Sequence, residues 1–291
     1  MLKKRIWIAA GILIVLLLAS VTSSWWLPHS PTHIEATQRL HGISAHNWFG
    51  TDHFGRDVFA RTIAAAKVSF FIGMAVAFIA TVLGTLVGLV SGYYRKVDFI
   101  IMRMIDGMMA FPALLLALAL VAALGGSMTN IIIALTFANF PQMTRVIRSA
   151  VLKVKQLQFI EAAVTTGTGP FTILFRYVLP NVSSPIIVQA TFTFAKAILA
   201  EAALSFLGLG ISPSIPTWGN MLQEAQEYIT IAPWLSIFPG IAIVITVLSL
   251  NILGDGLRDL LDPHRTKTMQ HFKRKTQLKR AKTESTKQEV I

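Results

Sequence analysis

The chain has 291 residues, 54% of them hydrophobic and 14% charged, with a mean hydropathy of +0.61, whereas a soluble domain carries roughly 25% charged residues. Lipid is therefore the expected solvent, and the absence of cysteine excludes disulfides, thiolate metal sites and cysteine nucleophiles. The net charge of +12 does not read as a nucleic-acid signature: His264 to Ile291 holds nine Lys/Arg against two Glu, with no folded basic face or aromatic platform beside it, so a tail held near anionic headgroups is the plainer account.

A helix crossing ~30 Å of hydrocarbon needs roughly 20 apolar residues, and six segments approach that length. The first, Ile6 to Leu27, is longer than the roughly 7 to 15 apolar residues of a signal peptide, and Trp25 and Trp26 sit where an interfacial anchor belongs. It reads as an uncleaved span. Before the second span, Thr51-Asp52 and Gly55-Arg56-Asp57 fit a compact turn in which Asp52 accepts from N–H groups and Arg56 pairs with a carboxylate. That turn either folds the loop or contacts a binding protein, with Asp52, Arg56 and Asp57 as candidates. Five of the seven histidines precede the second span, in spacings that match no metal-ligand signature, so no metal site is expected.

The second span, Ala64 to Ser91, carries Gly84, Gly88 and Gly92 on one helical stripe suited to close packing. The third runs from about Met104 to Leu124, with Asp106 near its start. The fourth, Met128 to Ala150, contains Asn139 and Pro141; the proline should kink or interrupt it and face the bundle. Whether such a kink moves or only shapes the helix stays open. The fifth, Pro185 to Leu207, starts at a capping Ser184 followed by proline. Lys196 lies roughly 17 Å into it, near the midplane, where a charge must reach water, the pathway or a partner. Glu201, about 140° away around the helix, pairs with it only imperfectly. Pathway lining and structural pairing are equally good readings for Lys196, whereas Asp106 and Glu201 read better as ties between helices. The stretch from Ile211 to Ala232, with Trp218, Glu224, Glu227 and Tyr228, suits a cap over the outer mouth that meets a binding protein. Trp234 to Leu253 forms the sixth span.

The Lys/Arg bias sets the direction. With the N-terminus inside, 21 of the 26 Lys/Arg fall on the cytoplasmic side, which places both termini there. The connection between the fourth and fifth spans is then cytoplasmic. Lys153 to Thr165 fits a short helix, Gly167 and Gly169 a turn, and Pro170 the first turn of a second helix. Ala162 and Ala163 would offer a small-residue surface. Such a unit is suited equally to docking another protein and to resting on the membrane.

Glu161-Ala162-Ala163, Gly167 and Tyr177-Val178-Leu179-Pro180, in their spacing, resemble the EAA loop of ABC importer permeases. Tyr177 departs from the aliphatic residue usual there, and a tyrosine fills such a half-buried position with its hydroxyl toward water. Residues 46 to 61, Asp106 with Phe111-Pro112, residues 201 to 210, Pro216-Thr217-Trp218-Gly219 and residues 254 to 263 are similar to the "C" permeases of the dipeptide, oligopeptide and nickel importers. The resemblance covers roughly residues 46 to 263. It implies an all-α polytopic membrane protein of six transmembrane helices with the type I ABC importer permease fold, in a bacterial cytoplasmic membrane. It further implies that Glu161, Ala162, Ala163, Gly167, Tyr177, Leu179 and Pro180 contact an ATPase. The expected organisation is a first helix and extracytoplasmic segment over 1–63, a core over 64–257 with its coupling loop at 153–181, and a basic tail over 258–291.

No Gly-rich segment ending in Gly-Lys-Ser/Thr is present to cradle phosphates. No catalytic residue and no cofactor on this chain are expected; ATP and Mg would be bound by two ATPase subunits or domains. The other implied partners are a homologous permease, an extracytoplasmic substrate-binding protein and membrane lipid. Peptides, nickel and small metal chelates remain open as cargo. A secondary transporter would call for inverted repeats and coordinating groups at the midplane, and a scaffold or membrane enzyme lacks a supporting motif.

Overall fold

The computed structural model describes residues 2–261, and the basic stretch beyond them lies outside the described residues. Among the described residues the chain is helical apart from loops and one isolated bridge between Thr51 and Asp57. We number the principal helices α1 (Leu2–Val21), α2 (Val58–Tyr93), α3 (Arg95–Met109), α4 (Ala113–Leu124), α5 (Met128–Val154), α6 (Gln158–Thr165), α7 (Ser183–Leu204), α8 (Trp218–Ala225) and α9 (Trp234–Leu261).

Helix α2 is the central strut. Its 36 residues rise ~54 Å, well beyond the hydrocarbon thickness. Asp57 starts it by accepting the Ala60 N–H at 2.8 Å, satisfying a donor that the first turn leaves without a partner. The glycine stripe packs on α5 as expected. A Cβ at Gly84, Gly88 or Gly92 would lie 2.6, 2.9 or 2.7 Å from the Cβ of Met143, Ile147 or Val151. Three residues spaced by one turn on α5 thus fit three gaps on α2. Helix α7 packs against α2, α5 and α9, and α1 lies across α9 and α2.

Length and composition qualify α1, α2, α7 with its extension to Leu209, and α9 as membrane spans. The expected third span is not one rod. It breaks at Phe111-Pro112 into α3 and α4, bent by 83°. Pro112 lacks an N–H and biases Phe111 away from helical geometry, and the 12 residues of α4 reach only ~18 Å alone. Counted together, the bent pair gives a fifth crossing. Helix α5 has the length of a sixth, 27 residues, but carries Gln142, Arg145 and Arg148. Pro141 does not interrupt it and is buried.

Two boundaries differ from expectation. Residues 153 and 154 still belong to α5, so the short loop helix begins at Gln158. Ser184 caps nothing: Val182 precedes α7 without a side-chain cap. The chain arrives there already helical, through Pro170–Thr172, a π-type turn at Ile173–Val178 and Leu179–Asn181. Val182 N–H reaches back to Val178 and Ile186 N–H to Val182, carrying helical bonding across the junction.

Candidate functional site: the α5–α7 loop and the opposite cap

The α5–α7 loop gathers at the Tyr93 end of α2, where Lys155 Nζ donates to the Tyr93 carbonyl at 2.6 Å. Helix α6 is held from inside by Ile160 and Ala163, which pack with Val151, Val154, Ile173, Leu174 and Val178. Ala163 is therefore an anchor of the loop and not part of its surface; only Ala162 and Glu161 of that triplet are exposed. The helix ends in a Schellman arrangement: Gly167 N–H donates to Val164 O and Thr168 N–H to Ala163 O, each at 3.0 Å. Gly167 sits at φ +77, a left-handed conformation that costs any side chain with a Cβ. Tyr177 is half-buried against the same cluster, together with Leu179, and Pro180 is exposed.

The outward side of this compact unit carries several exposed apolar residues among polar ones. Leu157, Phe159, Val164 and Phe175 are all exposed, and Phe171 is 72% exposed. Phe171 and Phe175 lie 4.5 Å apart between ring centroids. These residues were not among those expected at the site. Their spacing carried a signal, since Ile160 and Ala163 occupy one helical face and Phe159 and Val164 fall outside it.

At the Val58 end of α2 lies a charge cluster that the sequence foresaw only in part. Asp52 Oδ1 accepts from Phe54 N–H at 2.8 Å and Arg56 N–H at 2.9 Å. Its Oδ2 receives Arg56 Nε at 2.6 Å, while Arg56 Nη2 donates to Glu224 of α8 at 2.8 Å. Arg61, 3% exposed, reaches Glu224 at 3.1 Å and Asp52 at 3.7 Å. Trp218 is buried and donates its indole N–H to Thr62 O at 3.0 Å. Asp52, Arg56, Asp57 and Trp218 are thus internal ties that clamp the loop and α8 onto α2. Their side chains are not offered to a partner.

Asp52, His53 and Glu224 each have a ligand-type atom within 4.8 Å of the others, but the two carboxylates are already engaged by two guanidinium groups. His53 stacks on Tyr228 with 5.2 Å between ring centroids. Burial, chiefly, lowers its pKa from the ordinary value of 6.5, against the raising influence of Asp52 and Glu224, so it sits neutral in the cap.

The membrane-depth candidates separate into two kinds. Glu201 is fully buried; Ser205 Oγ donates to it at 2.9 Å, and Ser69 Oγ of α2 lies at 3.5 Å. It ties α7 to α2. Asp106 accepts from Arg145 at 2.5 Å, joining α3 to α5, and Asn139 Nδ2 donates to Leu135 O on its own helix. Lys196 does not pair with Glu201: its Nζ donates to Gln142 Oε1 at 2.9 Å.

This architecture has named relatives. Residues 80–267 match the family described as binding-protein-dependent transport system inner membrane component. The chain is 45% identical to the dipeptide transport system permease protein of Alkalihalophilus pseudofirmus over 257 residues, which is 88% of this chain and 83% of that protein. It is 41% identical to a glutathione transport system permease protein of Pectobacterium atrosepticum over 265 residues, 90% of this chain and 88% of the relative. The Escherichia coli glutathione permease is 42% identical over 257 residues, 88% of this chain and 85% of its own length. With a helical bundle of membrane-crossing length and that extent of similarity, the chain belongs to the binding-protein-dependent inner membrane components and is a multi-pass permease subunit of an ABC importer.

Proposed function

We propose that the chain forms half of a translocation pathway for short peptides, completed by a homologous permease and driven by two ATPase subunits that bind ATP and Mg. The observation that carries the reading is the α5–α7 loop. A rigid helix-turn-helix with exposed apolar residues on its outward side meets the requirement of a coupling contact: it buries area on a partner and passes displacement into α5 and α7, between which it is strung. Glu161, Ala162, Gly167, Tyr177, Leu179 and Pro180 lie on or beneath that contact. The basic bias supports placing the loop and both termini in the cytoplasm, with the outer face of α8 and the adjoining loop, braced from within by the buried Arg56 cluster, as the platform for a binding protein. Residues 1–63, 64–257 and 258–291 then act as anchor with outer segment, transport core and cytoplasmic tail.

Peptide cargo is supported by the dipeptide and glutathione permeases among the relatives. ATP binding would select between inward-open and outward-open packings of the bundle. Vesicles reconstituted with this permease and the products of its neighbouring genes should take up radiolabelled dialanine or glutathione only with ATP and the binding protein. Uptake driven by an ion gradient without ATP would overturn the reading.

A further inference from the structure

Lys196 is a basic side chain near the middle of a span with no carboxylate beside it among the described residues. It lies thirteen residues after Ser183, the first residue of α7, or ~20 Å along the helix. Its neighbours Ala195, Ala197 and Ile198 are buried, while Lys196 and Leu199 emerge on an open face. Arg145 and Arg148 of α5 each hold an aspartate at 2.5 Å. No carboxylate among the described residues lies within 4.0 Å of Lys196. An ammonium group held at bilayer depth is costly unless it meets water or a countercharge.

Its hydrogen-bond partner among the described residues is neutral. Gln142 Oε1 takes one of the three ammonium protons, which leaves two donors on Lys196 and the amide NH₂ of Gln142. Gln142 also lines a cavity of about 230 Å³ at the α3–α4 break, walled by Met108, Met109, Phe111, Pro112 and Pro141. That volume is below the roughly 300–1,000 Å³ of a complete small-molecule site, as befits one half of a pathway closed by a second subunit.

We propose that Lys196, positioned by Gln142, binds the C-terminal carboxylate of a peptide in transit, with the Met- and Phe-lined recess taking an adjacent apolar side chain. The peptide's own ammonium end is repelled by Lys196, so cargo would pass this level in one orientation. The inference rests on the peptide-import reading and assigns it a specific carboxylate contact.

The test compares uptake of radiolabelled dialanine and dialanine amide by the full reconstituted complex, for wild type, Lys196→Gln and Lys196→Arg. The binding protein is the same throughout, so its own preference cancels in the variant-to-wild-type ratio. Losing a hydrogen-bonded charge should lower dialanine uptake about tenfold in Lys196→Gln, leave the amide nearly unchanged, and be largely restored in Lys196→Arg. An equal fall for both probes, or loss of the second permease from the purified complex, would overturn the assignment and place the countercharge on the partner subunit. Unchanged uptake of both would overturn it as well. Failure of the wild type to take up either probe would overturn the peptide reading itself.

Discussion

At the scale of single residues, charges paired in ion networks hold the molecule together, whereas others among the described residues, Lys196 included, have no carboxylate partner. Glu224 is the keystone of the first kind, since it serves Arg56 and Arg61 at once and is only 13% exposed on its side chain. Removing one partner of a buried ion network strands the others, at a cost of about 3–5 kcal/mol. Glu224→Gln should therefore lower the melting temperature of the detergent-solubilised permease, read from tryptophan fluorescence, whereas Glu227→Gln should leave it in place. Asp52 and Arg56 were legible as a local turn because they lie four residues apart. Glu224, 168 residues from Arg56, was not: a loop carboxylate carries no periodicity that points to a distant guanidinium. For the same reason Trp218 read as surface aromatic and proved to be core.

At the scale of elements, apolar run length disclosed where helices lie but not where they stop. The run from Met104 to Leu124 is continuous in hydropathy, and Pro112 overrides it by withholding one N–H and disfavouring helix at Phe111. Ser184-Pro185 failed as a start signal for the opposite reason, because the preceding segment was already helical. The glycine stripe was fully legible, since a four-residue repeat has only one geometric meaning on a helix. Its partners on α5 were not, as nothing in Met143, Ile147 and Val151 distinguishes a packing ridge from ordinary apolar filling. Gly88→Leu drives a side chain into Ile147. Overpacking of this kind costs about 1–3 kcal/mol, and the variant should elute as aggregate or melt earlier, while Gly107→Leu, in open space, should not.

At the scale of the whole molecule, the α5–α7 loop and the Arg56 cluster cap opposite ends of the α2 strut. If the loop is the ATPase contact, its exposed aromatic face must be dry in the complex. Phe171→Asp places a charge there without touching the inner anchors Ile160 and Ala163. It should reduce co-purification of the ATPase subunits by tenfold or more, with the permease still inserted and monodisperse; unchanged recovery would remove the loop from that role. The membrane character of the chain was plain from composition, and the loop was recognisable by spacing to Leu179-Pro180. The face it presents was not, because inward and outward apolar residues alternate within eight residues of helix.

The fit of Met143, Ile147 and Val151 into the gaps at Gly84, Gly88 and Gly92 also limits how the bundle can move. A displacement of α5 along α2 by a fraction of a turn would push all three side chains onto the α2 backbone together. The next vacant alignment is four residues away, ~6 Å, where Met143 would meet the small side chain of Ala80 and Ile147 and Val151 would meet Gly84 and Gly88. Sliding of α5 along α2 is thus confined by this steric fit to discrete positions, like a detent.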